Sequence, residues 1–454
     1  MKMFFKKVLL IIILFGLGYF ISADQTNITV YNQDLALVRQ VREVDTNPKN
    51  LPLKFVDVAA RLIPTSVHLR SHTDENQFVV LEQNFEYDLV SADKILQKYI
   101  DYPIEIINEK GELIRGILLS KTGQSLVLKT DDAIKIIPWN ENLTVDVKEL
   151  PEGLITRPTL IWEVSGVSGK KMALEVSYLT QGINWQAEYV GILNENSVRL
   201  DLAAWVSLDN KCGATFENAN LKLVAGDIHR APQVRPTRRF MRGDVAELAQ
   251  AAAPEFEERE FFEYHIYQLD RSTTIKDQQI KQISLFSPCD VACEKKFFYN
   301  FQNDPKKVEV KILFKNEKKS GLGKPLPAGT IRLYQKDKEG LEFIGEDRIE
   351  HTSVNEEVKL IVGKAFDLAA ERKVVDHTKI SQRSERQKIE IELRNNKENQ
   401  NVDIIVEEWL YRPNWKIENS NFAYNKKSAN LIEFEVPVKA NNKTIITYTI
   451  TYSW

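Results

Sequence analysis

The feature that most constrains this chain is a period of two. Apolar and polar residues alternate in short runs between Ile28 and Tyr452, and glycine, proline and asparagine punctuate them. Successive side chains of a strand point to opposite faces, so such runs fit strands with one buried and one solvated face. Ile28 and Val30, then Leu35, Leu37 and Val41, mark two strands around a turn at Asn32-Gln33-Asp34. Between residues 160 and 226 the runs read LIWEV, MALEVSYL, WQAEYVGIL, SVRLDLAAWVSLDN and NLKLVAG. Further strands are expected at 264–269, 280–286 and 308–314. The last part of the chain predicts seven more, at 330–335, 342–344, 357–362, 388–394, 402–411, 431–436 and 444–452. Short strands at this spacing predict antiparallel sandwiches.

Residues 91–150 read differently. Ser91 can cap a short helix, ADKILQKYI, whose Ile95, Leu96 and Tyr99 share one face. Strands follow at 104–107, 113–120, 125–129 and 133–138. A short helix followed by a bent meander predicts a small Sm- or SH3-like barrel inserted into the first sandwich. Such barrels often bind RNA. This one carries both charge signs and no aromatic stacking platform, which favours a structural or protein-contact role.

The fold class is therefore mainly β: antiparallel β-sandwich domains with an inserted small barrel. The expected order is a leader at 1–23, the first sandwich at 24–90, the barrel at 91–150 and the sandwich again at 151–228. A flexible charged loop follows at 229–262, then strands completing the first sandwich at 263–315. The C-terminal sandwich occupies 316–454. The loop opens with Arg230, Arg235, Arg238, Arg239 and Arg242 and closes with Asp244, Glu247, Glu255, Glu257, Glu258 and Glu260. Opposite charge blocks of this kind are ordinarily solvated.

Lys2, Lys6 and Lys7 precede an uncharged run from Val8 to Ala23, and Ser22-Ala23 precede the polar Asp24. This is the order of a secretory signal peptide, with cleavage expected between Ala23 and Asp24. The competing reading, an uncleaved anchor, needs ~20 apolar residues, more than the run supplies. No later apolar segment approaches that length, so no transmembrane helix is expected after signal removal. The expected location is the periplasm, the cell surface or the medium.

The whole chain has 61 Lys and Arg against 64 Asp and Glu. Loss of the leader's three lysines makes the balance more acidic, which argues against nucleic acid as a partner. The three cysteines are Cys212, Cys289 and Cys293. In an oxidising compartment, Cys289 and Cys293 are candidates for a disulfide across a small loop, with Cys212 left as a buried thiol. A metal site needs more ligands than these cysteines supply, and no Cys-x2-Cys pair exists, so no metal site is assigned; no cofactor is assigned either.

Several phrases resemble a known family. They include ITVYNQDLALVRQ, LPEGLITRPTLIWEV, VSYLTQGINWQAEYVGIL, FENANLKLVAGDIHRAP, LPAGTIRLYQKDKEG and GEDRIEHTSVNEEVKLIVGKAFDL. Together they resemble the bacterial family called domain of unknown function 4139, from about Ile28 to Tyr452. The resemblance implies an exported β-rich protein. Some relatives are described as mucoidy-inhibitor-like, which implies exopolysaccharide or envelope physiology. Those relatives carry a long coiled coil, and this chain has no heptad run. The family transfers no catalytic residues.

Chemistry-bearing residues are sparse. The histidines are His68, His72, His229, His265, His351 and His377, and no HExxH, GxSxG, P-loop or GxGxxG motif occurs. Asp227/His229, Glu350/His351 and Asp376/His377 are local acid–histidine pairs. Adjacent strand residues face opposite ways, so Glu350 and His351 would not both ligate a metal from one regular strand, whereas Asp227 and His229 could share a face. Glu407-Glu408-Trp409 beside Tyr411, Arg412 and Trp415 suggests a glycosidase cleft. The plainer reading puts Trp409 or Tyr411 in the core and the glutamates outside. Trp162, Trp185 and Trp205 are read as core. Ile446, Tyr448, Ile450, Tyr452 and Trp454 alternate, as a last sandwich strand or a membrane-barrel strand would.

The sequence thus predicts a non-catalytic envelope module, binding or structural, with an envelope protein or polysaccharide as partner. The first alternative is a hydrolase of an envelope glycan using carboxylates from Glu350, Asp376, Glu407 or Glu408. The second is outer-membrane insertion.

Overall fold

Strands form where the sequence alternates. Ile183–Leu193 buries every odd-numbered residue, Trp185 and Tyr189 among them. It pairs antiparallel with Arg199–Asn210 along its whole length, from Ile183 opposite Asn210 to Leu193 opposite Leu200. This is the burial pattern of a sheet with one face in a core.

The structure, a computed structural model, describes residues 25–454 except 48, 50, 73–78, 141, 168–170, 227, 230–255, 262–263 and 339. The expected leader and its cut between Ala23 and Asp24 lie outside the described residues. So do Asp227 and most of the charged loop, including its arginines from Arg230 to Arg242.

The chain divides into two compact units. One holds the described residues up to Ile28, those of Leu37–Thr180, and Cys212–Ala219. The other holds Thr29–Ala36, Gln181–Lys211 and the described residues from Asn220 to Trp454.

In the first unit, Thr159–Ser165 is flanked by Leu53–Val56 and Val79–Glu86. Lys171–Thr180 pairs antiparallel with His68–Ser71. The helix Ala92–Lys98 is capped by Ser91, whose hydroxyl accepts the Lys94 N–H at 3.3 Å. Leu96 and Tyr99 pack with Ile104, Ile106, Leu118, Leu126 and Leu128. The five strands beside them run in the order Thr144–Asp146, Pro103–Ile107, Leu113–Thr122, Ser125–Lys129 and Ile134–Pro138. This meander is an open sheet among the described residues, where a closed barrel was expected. Its end strands are short, and Pro138 has no N–H for a further ladder.

The second unit is organised by Gln279–Asn300, a strand of 22 residues. Its first part pairs antiparallel with Arg199–Asn210. Its last part has Lys307–Lys315 antiparallel on one edge and Val402–Trp409 parallel on the other. Two layers therefore diverge from one strand. Glu357–Ser381, Ser384–Asn395, Asn442–Ser453 and Trp415–Glu418 continue the first layer. Leu431–Val438 and Tyr424–Lys426 continue the second. One core lies between them, with Ile391, Tyr448 and Ile450 from one layer and Ile404, Phe434 and Val436 from the other. Sandwich packing is the result, as the alternation requires.

Four features depart from expectation. The sheets are mixed, because Ile183–Leu193 also runs parallel to Gly329–Asp337. Parallel pairing joins segments far apart in sequence, and alternation carries no information about direction. At that ladder Gly329 is required, since a Cβ there would lie 2.0 Å from the Ala187 carbonyl oxygen. Phe256–Phe261, expected within the flexible loop, is a strand paired with Tyr264–Leu269. Val79–Glu86, not expected, is a strand whose side chains are almost all exposed. Backbone pairing without burial leaves no period in the sequence. Trp162 and Trp185 are in the core as expected, whereas Trp205 is half-buried.

Candidate functional site

Val402–Trp409 turns the expected orientation of its acidic end around. Val402, Ile404, Val406 and Glu408 face the core, and Trp409 faces outward at 47% exposure. Sequence reasoning had placed Trp409 or Tyr411 inside and the glutamates outside. The reason for the reversal is a partner. The Arg372 Nε donates to both Glu408 carboxylate oxygens at 3.0 Å, and the Tyr448 hydroxyl donates to one of them. Burial opposes the charge on Arg372, yet the facing Glu408 carboxylate holds its pKa above the usual value. Burial, reinforced by Glu408, pushes the Tyr448 phenol well up, so it remains a donor. A buried carboxylate with these contacts is satisfied.

Glu407 points to the other face. Its carboxylate is 3.9 Å from the Lys311 ammonium and accepts from Asn300 Nδ2 at 3.4 Å. Lys311 is also paired with Glu309 at 3.2 Å. The two neighbouring carboxylates therefore do not flank a common space, as a glycosidase pair must. Glu350 and Asp376 are both exposed and join neither. His351 Nδ1 accepts the Ala328 N–H at 3.1 Å, and His377 is 3.1 Å from Glu385. Among the described residues no three His, Cys, Asp or Glu side chains converge as a metal ion would require.

What the sequence motif does assemble is aromatic. Past Trp409 the chain tucks Leu410 into the core, tied by its N–H to the Asn430 carbonyl at 2.8 Å. It crosses the end of the sandwich through Tyr411 and Arg412 and re-enters the sheet as Trp415–Glu418. The Tyr411 ring lies 4.2 Å from that of Tyr452, and its hydroxyl accepts from Gln387 Nε2 at 3.4 Å. Ser453 and Trp454 are held by N–H bonds to the carbonyls of Asn414 and Arg383, at 3.1 and 3.0 Å. The Arg412 Cζ lies 4.7 Å from the Trp454 ring centroid and 5.9 Å from that of Tyr411. Tyr411 is 52% exposed and Trp454 43%. Arg412 makes no ion pair among the described residues, and its Nε is buried without an acceptor.

Trp415 stands on the same segment, with its Nε1 donating to the Ala429 carbonyl at 2.7 Å. Lys426 lies 4.9 Å over the Trp415 ring and Tyr424 is edge-on to it. Sequence reasoning singled out Trp409, Tyr411, Arg412, Trp415 and Trp454, and missed Tyr424 and Lys426. The strand Tyr424–Lys426 is three exposed residues and has no period to find. Ile446, Tyr448, Ile450 and Tyr452 all face the sandwich core. Their alternation is thus accounted for by sandwich packing, and only Trp454 continues onto the surface.

The disulfide expected between Cys289 and Cys293 is not made, and none of the three cysteines is in a disulfide. Both sit on Gln279–Asn300, and four residues of extended chain separate their Cα atoms by ~13 Å. A disulfide needs less than about 7 Å. Burial pushes the Cys293 thiol up to about 11. Alkylation of the native protein at pH 8 is therefore expected to reach at most Cys289, and all three cysteines after unfolding. Mass spectrometry of the two samples checks this; native labelling of Cys212 or Cys293 contradicts their burial.

Compared with family models and with curated proteins, the chain matches none.

Proposed function

We propose that the chain is an exported, non-catalytic module of the bacterial cell envelope that binds polysaccharide through the aromatic end of its C-terminal sandwich. The family resemblance in its sequence, to domain of unknown function 4139, fits such a setting. The observation that carries the reading is the exposed Tyr411–Arg412–Trp454 surface. A sugar ring presents flat patches of C–H bonds fringed with hydroxyls. Exposed rings with polar groups beside them match that pattern of apolar face and polar edge. The hydrolase alternative loses support because Glu408 is sequestered by Arg372 and Tyr448, and Glu350, Asp376 and Glu407 do not join it.

The test is electrophoresis of the leaderless chain through native gels containing envelope polysaccharide. Retardation is expected, with affinity falling roughly 30-fold in the double variant Tyr411→Ala/Trp454→Ala, as for loss of a central aromatic anchor. Equal mobility of parent and variant with the polymer present would reject this surface as the site. Release of new reducing ends during incubation would instead favour the hydrolase.

A further inference from the structure

We infer that the polysaccharide is acidic, and that Arg412 takes a uronate carboxylate of the polymer while Tyr411 and Trp454 take the sugar faces. This inference rests on the polysaccharide-binding reading above. Arg412 is an unmatched cation. Its guanidinium carbon lies 4.7 and 5.9 Å from two exposed rings, and no carboxylate of the described residues pairs with it. The nearby carboxylates are engaged elsewhere. Glu408 is bound by Arg372, Glu385 faces His377 at 3.1 Å, and Glu418 pairs with Lys416 at 2.7 Å. Arg383, whose carbonyl anchors the Trp454 N–H, adds a second exposed cationic side chain beside the surface.

A guanidinium packed beside rings with its Nε buried can still offer its two Nη groups to a ligand. That geometry matches a carboxylate through paired N–H bonds. Neutral sugars would leave the charge without a counter-ion. Single-stranded nucleic acid also stacks on rings, but it calls for a run of cations along its backbone. This chain carries more acidic than basic residues.

The experiment compares polygalacturonate with the same polymer after reduction of its carboxyl groups, using the full leaderless chain in affinity gels. The parent protein is expected to bind polygalacturonate at least about tenfold more tightly than the reduced polymer, with the preference weakening as salt rises. Arg412→Gln should lose the preference and keep binding to the reduced polymer, and Arg412→Lys should keep part of it. Equal binding of both polymers by the parent overturns the inference and leaves polysaccharide binding intact. An equal loss on both polymers in Arg412→Gln also overturns it, since Arg412 would then only prop the rings. Failure of the parent to bind any polysaccharide removes the underlying reading itself. Capture of an acidic protein segment in place of a polymer does the same.

Discussion

Replacing Arg372 with methionine is expected to destabilise the C-terminal sandwich by about 3–5 kcal/mol. Glu408 is 3% exposed, and Arg372 supplies the positive charge facing it. Without the guanidinium, the carboxylate must stay buried with only the Tyr448 hydroxyl, or take up a proton. Either course costs far more than loss of a surface pair, because water cannot replace the missing partner. Glu408→Gln should cost less, since the amide keeps an acceptor for Tyr448. The double variant Arg372→Met/Glu408→Leu should recover much of the loss, because it removes both buried charges together. Hydrogen exchange of peptides from Ser384–Asn395 and Asn442–Ser453 reads this sandwich directly, as a bulk melting curve of a two-unit chain would not. A double variant no more stable than Arg372→Met would mean that the uncompensated carboxylate is not the source of the loss.

Phe434→Ala should be of similar size, about 3–5 kcal/mol. The Phe434 ring is fully buried, with centroids 5.4 Å from Tyr448 and 6.0 Å from Tyr424. Truncation leaves a cavity that strands on both layers cannot close without breaking ladders. The loss should also loosen Tyr424, and through it the edge-on contact with Trp415. Exchange protection of Leu431–Val438 reports the first effect, and Trp fluorescence the second. Phe366→Ala makes the comparison, because that ring is 94% exposed and its removal should change stability by little. Comparable losses at the two positions would contradict this core.

Much of the β architecture was legible because burial follows a simple period. The turn at Asn32–Asp34, the Ser91 cap, and the strands from Ile183 to Ala225 and from Leu431 to Ser453 all fall where alternation or capping residues place them. Val79–Glu86 was not legible, because it pairs without burying a face. The parallel ladder between Ile183–Leu193 and Gly329–Asp337 was not either, because strand direction leaves no mark on composition. The candidate site was half legible. Its aromatics and Arg412 stood out as residues, but not as one surface.

The amino-acid sequence determines where strands run, because alternation is a local property of the chain. It also shows that Glu407 and Glu408 must part, since neighbouring side chains on a strand take opposite faces. Which face becomes the core was decided by the tertiary structure. Glu408 is inside and Trp409 outside because Arg372 and Tyr448, 36 and 40 residues away along the chain, meet the carboxylate there. A buried charge is stable only beside its partner, and that partner becomes visible only once the two layers have closed.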